Sequence, residues 1–181
     1  ALPHARCLLI YPFDKRERDG MSKVLSLLAA LQQRQLQRHN GKTLAFTNGV
    51  FDLLHVGHLD YLEKARALAD ALYVGLNSDS STQRLKGPAR PIVPEAERAR
   101  LLAALRPVDA VIIFPEDTAV TLLEQLQPDI YVKGGDYAHK TLPERASVEQ
   151  YGGTIHLIAY LPDHSSTGLI AKIQALPQNR G

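Results

Sequence analysis

The chain has 181 residues, of which 45% are hydrophobic and 22% charged, and these proportions fit one globular domain with an ordinary core. Lysine plus arginine exceeds aspartate plus glutamate by only 21 to 19, and the basic residues are dispersed, which argues against a nucleic-acid partner. The lone Cys7 cannot form an internal disulfide, and the apolar run 7–13 is too short to cross a bilayer, so we expect a cytoplasmic protein without a membrane partner.

The first regular pattern begins near residue 24. Because the chain opens on Ala1 and Met21 precedes this pattern, we predict an N-terminal extension or linker over residues 1–23, which is a native extension or part of a longer chain. A single domain is predicted over 24–176, with a tail over 177–181.

Helical and strand patterns then alternate along the chain. The predicted helices run from residue 24 to the polar stretch 37–41, and over 56–69, 94–105, 118–126, 143–151 and 166–176. The predicted strands cover 44–50, 71–76, 108–114, 130–133 and 154–159. This alternation predicts an α/β fold: a Rossmann-like, doubly wound, mainly parallel five-stranded sheet with helices on both faces. Ligands bind such sheets beyond the carboxyl ends of the strands, so the loops there are expected to carry the chemistry.

The loop after the first strand contains two histidines. His55 and His58 are three residues apart at the start of a helix, so they share a face beside unpaired backbone N–H groups that favour an anion. Gly57 between them lets a base or a phosphate approach the backbone. The alternative is that one histidine caps the helix and the other is an ordinary surface residue. The strand-to-helix context and the preceding Gly-x-Phe-Asp favour the functional interpretation.

A metal site is considered at the same loop. A catalytic zinc ion needs about three protein ligands, and the only cysteine lies in an unrelated segment, so no zinc is expected. Asp52 is the candidate magnesium contact, with most of the coordination left to water and phosphates.

Motifs along the chain resemble a known superfamily. The run Gly49-Val50-Phe51-Asp52, followed by His55-Val56-Gly57-His58, resembles the signature of the HxGH nucleotidyltransferases, which include the cytidylyltransferases and pantetheine-phosphate adenylyltransferase. Five segments are similar to the D-glycero-β-D-manno-heptose 1-phosphate adenylyltransferases, which occur alone or as the C-terminal half of a bifunctional kinase–adenylyltransferase: 46–58, 75–79, 84–91, 114–118 and 132–137. The resemblance covers roughly residues 24 to 176.

Two departures from the family pattern stand out. Val50 occupies a position where cysteine is expected, a packing change on the strand. In the last motif, 165–170, Gly168 replaces a better helix former, and Ala171-Lys172 replaces an arginine seen in relatives. This weakens the case for a C-terminal arginine that holds the triphosphate.

The resemblance implies transfer of AMP from ATP to a sugar 1-phosphate, with Mg²⁺ and release of pyrophosphate. His55 and His58 would donate to the α- and β-phosphates, and no general base is needed because the second pKa of a phosphate monoester is about 6. The nucleotide-binding candidates of the same loop are Thr47, Asn48, Gly49, Phe51, Asp52 and Gly57.

Further candidates follow the later strands. Lys86 and Arg90 lie among Gly87, Pro88 and Pro91, which predicts a mobile loop that closes on the triphosphate, against the alternative of two solvated cations. Three groups complete the set. Lys133 and the turn at Gly134 are candidates for the sugar phosphate, with Asp136 for sugar hydroxyls or a turn hydrogen bond. Asn77 and Asp79 are candidates for substrate orientation or Asx turns, and Ser166 and Thr167 for helix capping or phosphate contact.

Several alternatives remain open. The histidine pair does not specify the base, so a cytidylyltransferase or a flavin adenylyltransferase (FAD synthetase) of the same superfamily is the second hypothesis, and a catalytically silent nucleotide-binding module is the third. The chain lacks Gly-x-Gly-x-x-Gly and P-loop motifs, which disfavours a dehydrogenase and a P-loop kinase. The resemblance also implies a homodimer and fusion to, or cooperation with, a heptose 7-phosphate kinase. No chemistry is assigned to the remaining histidines, which are His4, His39, His139, His156 and His164.

Overall fold

A computed structural model describes residues 23–135, 142–159 and 161–177. The strands are Leu44–Gly49 (β1), Ala71–Asn77 (β2), Ala110–Phe114 (β3), Ile130–Gly134 (β4) and Thr154–Ile158 (β5). The helices are Leu27–His39 (α1), Val56–Arg66 (α2), Asp79–Lys86 (α3), Glu95–Ala104 (α4), Val120–Leu126 (α5), Arg145–Gln150 (α6) and Ser166–Gln174 (α7). None of the helices in these ranges combines the length and the apolarity that a membrane span requires.

The five strands form one parallel sheet in the order β3-β2-β1-β4-β5. From β1, the strands β2 and β3 extend the sheet in one direction, and β4 and β5 extend it in the other. Strand order therefore reverses between β1 and β4, and a crevice for a ligand is expected where their carboxyl ends diverge. The predicted five-stranded, Rossmann-like sheet is confirmed.

The sheet is covered on both faces because its buried residues alternate in direction. Leu44 and Phe46 of β1 face one core, and Ala45 between them faces the other, as the two-residue period of a strand requires. The first core is completed from α1, α5 and α6 by Ala30, Leu123 and Val148. The second is completed from α2 and α4 by Leu62, Ala99 and Leu102.

One helix differs from the sequence prediction. Residues up to Lys86 form the helix α3, so the prediction of a mobile loop at Lys86 is wrong. The segment lacks an apolar stripe, and its helix is instead started by the Ser78 side chain, which accepts from the N–H of Ser81. It ends at Gly87, whose φ of 94° suits glycine. The non-helical segment between α3 and α4 is therefore shorter, and spans 87–94.

A fully buried arginine joins three segments near the carboxyl ends of the strands. Arg98 of α4 is 0% exposed, and its guanidinium donates to the backbone carbonyls of Val50, Asn77 and Val93. It also forms an ion pair with Asp79, with donor–acceptor distances between 2.5 and 3.0 Å throughout the set. Arg98 thus satisfies buried carbonyls in three segments that are distant in sequence.

We expect Arg98→Lys to lower the free energy of unfolding by about 3 kcal/mol, because a lysine ammonium cannot reach three carbonyls and a carboxylate in this planar arrangement. Urea denaturation measures the change. Arg100→Lys is the matched control, since Arg100 is exposed on the same helix and should change stability by less than about 0.5 kcal/mol. Equal losses in the two variants would show that the Arg98 contacts contribute no specific stability.

Candidate active site

The loop between β1 and α2 leaves the sheet through a strained residue. Phe51 has a φ of 47°, an unfavourable region for a bulky side chain. Its buried ring lies against Gly49, where an added Cβ would come within 3.1 Å of it, and 5.3 Å from the ring of His58. The packing of Phe51 therefore fixes both the direction of the loop and one side of His58.

His55 and His58 form a stacked pair at the start of α2. Their ring centroids are 3.8 Å apart with an interplanar angle of 27°. Both ring nitrogens of His55 and Nδ1 of His58 are buried without a hydrogen-bond partner, three of seven such side-chain atoms in the described residues. Buried polar atoms normally have partners, so this concentration indicates a place for a ligand with acceptor atoms.

The pair is electrically neutral at pH 7. Burial, helped by the neighbouring His55, lowers the pKa of His58 from 6.5 to about 4. Burial also lowers the pKa of His55, and the nearby His164 adds to the effect. Each neutral ring carries one N–H group, so the pair can donate two hydrogen bonds to an anion beside the helix N-terminus.

Gly57 allows this close arrangement. A Cβ at this position would lie 2.8 Å from Cβ of His164 and 3.0 Å from Nδ1 of His55. A side chain would therefore displace the His55 ring or the segment that carries His164.

The Asp52 carboxylate anchors the segment between α3 and α4. It accepts from Nε of Arg90 and from the backbone N–H groups of Ile92 and Val93, and its side chain is 1% exposed. Burial alone would raise the pKa of Asp52, but the bonds from Val93, Ile92 and Arg90 outweigh it and the pKa lies below its ordinary value.

The structure thus uses Asp52 and Arg90 differently from the sequence prediction. They pair with each other, so Asp52 is a buried loop anchor rather than an open magnesium contact. Arg90 is likewise held against the β1–α2 loop rather than on a detached segment. Within the described ranges, no three His, Cys, Asp or Glu side chains come together in a group that could hold a metal ion.

A second polar group lies where β1 and β4 diverge. Asn48 accepts through Oδ1 from Nζ of Lys133, at 2.9 Å, and from the hydroxyl of Tyr131, at 2.7 Å. Burial lowers the pKa of Lys133, against the opposing effect of Glu144. The half-buried ammonium therefore lies beside the Asn48 amide and the Tyr131 ring and feels the charge of Glu144.

Other predicted residues have structural partners. The buried Thr47 hydroxyl shares a 2.7 Å hydrogen bond with Tyr61, which also donates to the carbonyl of Val132 and so holds α2 on the sheet. Asn77 donates to Ser81, and Asp79 pairs with Arg98.

The start of α7 packs against the β1–α2 loop. Ser165, rather than Ser166 or Thr167, caps the helix by accepting from the N–H of Gly168. Ser166 instead donates to the carbonyl of Leu53 at 3.0 Å, which docks α7 on the loop. Thr167 is exposed.

The structure brings most of the predicted residues to this loop and to the adjacent end of β4. Those that share its contacts are Asn48, Gly49, Phe51, Asp52, His55, Gly57, His58, Arg90, Lys133 and Ser166. Gly134 ends β4, Lys86 is exposed at the end of α3, and Asp136 lies outside the described residues. Sequence reasoning missed Arg98, Tyr131 and His164, since no local pattern marks them.

A parallel sheet of this order, with a stacked histidine pair at the first strand-to-helix junction, defines a nucleotidyltransferase domain of the HxGH class. The Cytidylyltransferase-like family matches residues 46–170, and the chain belongs to this family.

Similar proteins agree with this assignment. The chain is 53% identical over 139 residues to "Bifunctional protein HldE" of Syntrophotalea carbinolica, an alignment of 77% of this chain and 28% of that protein. It is 52% identical over 156 residues to the protein of the same name from Geotalea uraniireducens, with coverages of 86% and 31%. The chain thus spans less than a third of the length of these relatives.

A solved structure is also similar. The lipopolysaccharide core biosynthesis protein from Thermoplasma volcanium GSS1 is 31% identical, with a TM-score of 0.55 over 67% of this chain and 98% of that chain.

We expect the free energy of unfolding to decrease as the pH is lowered, because His58 titrates. The unfolded chain binds a proton near pH 6.5, whereas folded His58 stays neutral until about pH 4, so acid favours the unfolded state across this window. The free energy of unfolding at pH 5 should lie about 2 kcal/mol below its value at pH 7 through His58 alone.

Urea denaturation at the two pH values tests this expectation. His58→Asn should remove most of this fall, while His39→Asn, at an exposed position of α1, should preserve it. An unchanged fall in His58→Asn would contradict the assignment.

Proposed function

We propose that this domain transfers AMP from ATP to D-glycero-β-D-manno-heptose 1-phosphate, giving ADP-heptose and pyrophosphate. The observation that carries the proposal is the stacked His55–His58 pair, whose buried and unpartnered ring nitrogens lie beyond the carboxyl end of β1, beside the point where the strand order reverses. The choice of sugar is supported by the resemblance of segments 75–79, 84–91 and 132–137 to heptose 1-phosphate adenylyltransferases. The named relatives are bifunctional proteins of which this chain matches less than a third, which fits one catalytic domain of a longer protein. The structural neighbour named for lipopolysaccharide core synthesis supports the same choice.

The reaction forms a bond between a phosphate oxygen of the sugar and the α-phosphorus of ATP, and it breaks the bond from that phosphorus to the bridging oxygen of pyrophosphate. The sugar phosphate is largely dianionic at neutral pH, so the domain needs to align the reactants and to stabilise charge rather than to remove a proton. The neutral imidazoles of His55 and His58 would donate to the α- and β-phosphates, where negative charge increases as pyrophosphate leaves. The N-terminus of α2 would favour the same anion.

Magnesium would enter with the triphosphate. Because the Asp52 carboxylate is buried in its own contacts, phosphate and water oxygens would supply most of the coordination, which is a common arrangement for Mg²⁺. The ion would neutralise phosphate charge.

The sugar phosphate would bind at the carboxyl end of β4. Lys133 is half-buried there beside Asn48 and Tyr131, and its ammonium would attract a phosphate and donate to the phosphate oxygens. We further propose Lys86 as a triphosphate contact from the end of α3, and Ser166 and Thr167 as contacts from the start of α7. Two partner proposals complete the account: a homodimer, and a heptose 7-phosphate kinase on the same or a separate chain.

Pyrophosphate release tests the substrate assignment. ATP and CTP are each combined with Mg²⁺ and with heptose 1-phosphate, glycerol 3-phosphate or riboflavin mononucleotide. We expect release with ATP and heptose 1-phosphate at least about tenfold faster than with any other pair, a discrimination that corresponds to about 1.4 kcal/mol. The absence of release with ATP and every sugar 1-phosphate would refute the proposal, and release only with CTP would favour a cytidylyltransferase.

His58→Asn tests the role of the pair. We expect turnover to fall by about 100-fold or more, because the asparagine amide does not place its N–H where the imidazole does, and that donor acts on charge that develops in the transition state. The dissociation constant for ATP, measured by calorimetry, should change by less than about fivefold. His156→Asn, on the exposed surface of β5, is the control and should retain full activity. Turnover of His58→Asn within threefold of the unmodified protein would exclude a catalytic role for His58.

A further inference from the structure

We propose that His164 is a third imidazole of the phosphate site, which binds a phosphate of the nucleotide as a positively charged imidazolium. The inference rests on the proposed function and assigns this histidine a role that its position in the sequence did not indicate.

The fold places His164 beside the stacked pair. Its ring centroid lies 6.4 Å from that of His55, with an interplanar angle of 42°. The backbone of α2 approaches it so closely that a Cβ on Gly57 would lie 2.8 Å from Cβ of His164. Hydrogen bonding of Ser166 to Leu53 and of Ser165 to Gly168 fixes the segment that carries it. The close approach thus depends on Gly57 and on the docking of α7.

The hydrogen bond of His164 determines what the ring can donate. Nδ1 lies 2.6 Å from the carbonyl oxygen of Pro162, and a carbonyl only accepts, so Nδ1 carries a hydrogen. In the neutral ring Nε2 is then an acceptor and would repel a phosphate oxygen. A hydrogen bond from Nε2 to a phosphate therefore requires the protonated ring, which also contributes a positive charge.

The three rings would bind the phosphates in different charge states. Both ring nitrogens of His55 and Nδ1 of His58 are buried, whereas His164 is exposed at the edge of the site, where water surrounds its ring before the ligand arrives. The neighbouring titratable groups are His55 and His58 at the start of α2, and Asp163 next to it in its own segment. Burial and, after it, the proximity of His164 lower the pKa of His55, so protonation of His55 beside a charged His164 is disfavoured. One charged ring beside two neutral donors suits a polyanion better than three charged rings.

A purely structural role predicts a different response to substitution. If His164 only bonds to Pro162, glutamine, which also carries an N–H donor, should replace it, and arginine should bring no special benefit. If His164 binds phosphate as a cation, glutamine should weaken nucleotide binding and arginine should restore it, because the guanidinium keeps the charge.

Calorimetry with Mg²⁺-ATP separates these cases. We expect His164→Gln to raise the dissociation constant about tenfold, as for one partly exposed charge-assisted hydrogen bond. His164→Arg should remain within about threefold of the unmodified protein, and the control His156→Gln should be unchanged. In the pyrophosphate assay His164→Gln should raise KM for ATP while kcat at saturation changes by less than about threefold. Thermal melting monitors folding of each variant.

Three outcomes would overturn the inference. Unchanged ATP affinity in His164→Gln would remove His164 from the site and leave the proposed function intact. Equal losses in the glutamine and arginine variants would show that His164 does not act through a positive charge. Failure of the unmodified protein to bind any nucleoside triphosphate would remove the proposed function and this inference together.

Discussion

Two buried charged side chains, Arg98 and Asp52, hold the loops around the carboxyl end of β1, and the geometry of the site depends on them. The Arg98 guanidinium takes the carbonyls of Val50 and Val93, and the Asp52 carboxylate takes the N–H groups of Ile92 and Val93. Arg98 thus satisfies acceptors of both segments, and Asp52, which belongs to the β1–α2 loop, satisfies donors of the segment 87–94. Because leaving either set buried and unpaired would cost several kcal/mol, the two segments are fixed relative to each other.

The atoms proposed to face the ligand differ from the atoms that hold the fold. The polar groups of Thr47, Asn48 and Asp52 are bonded within the protein, whereas ring nitrogens of His55 and His58 are not. Donors that are placed before the substrate binds do not need to reorganise during the reaction. The cost of this preorganisation is visible in the lowered pKa values of both histidines, since burial disfavours their charged forms.

The sequence predicted those features that local patterns determine. Strand periodicity indicated the five-stranded sheet, and the spacing of His55 and His58 placed them on one face of α2, where they stack. The contacts that organise the site could not be predicted, because they join residues 38 to 48 positions apart, such as Arg90 with Asp52 and Arg98 with Val50. The helix α3 was missed because it is polar and depends on its cap, and His164 because its neighbour His55 is distant in sequence.

The central claim is that the histidine pair binds the triphosphate, and long-range ¹H–¹⁵N spectra of the imidazole nitrogens test it most directly. A non-hydrolysable ATP analogue with Mg²⁺ is titrated into the protein at pH 7, with calorimetry to confirm saturation. Ring-nitrogen resonances of both His55 and His58 should shift and saturate with the nucleotide, while those of His156 should not. Saturation by the nucleotide with both rings unchanged would contradict the central claim.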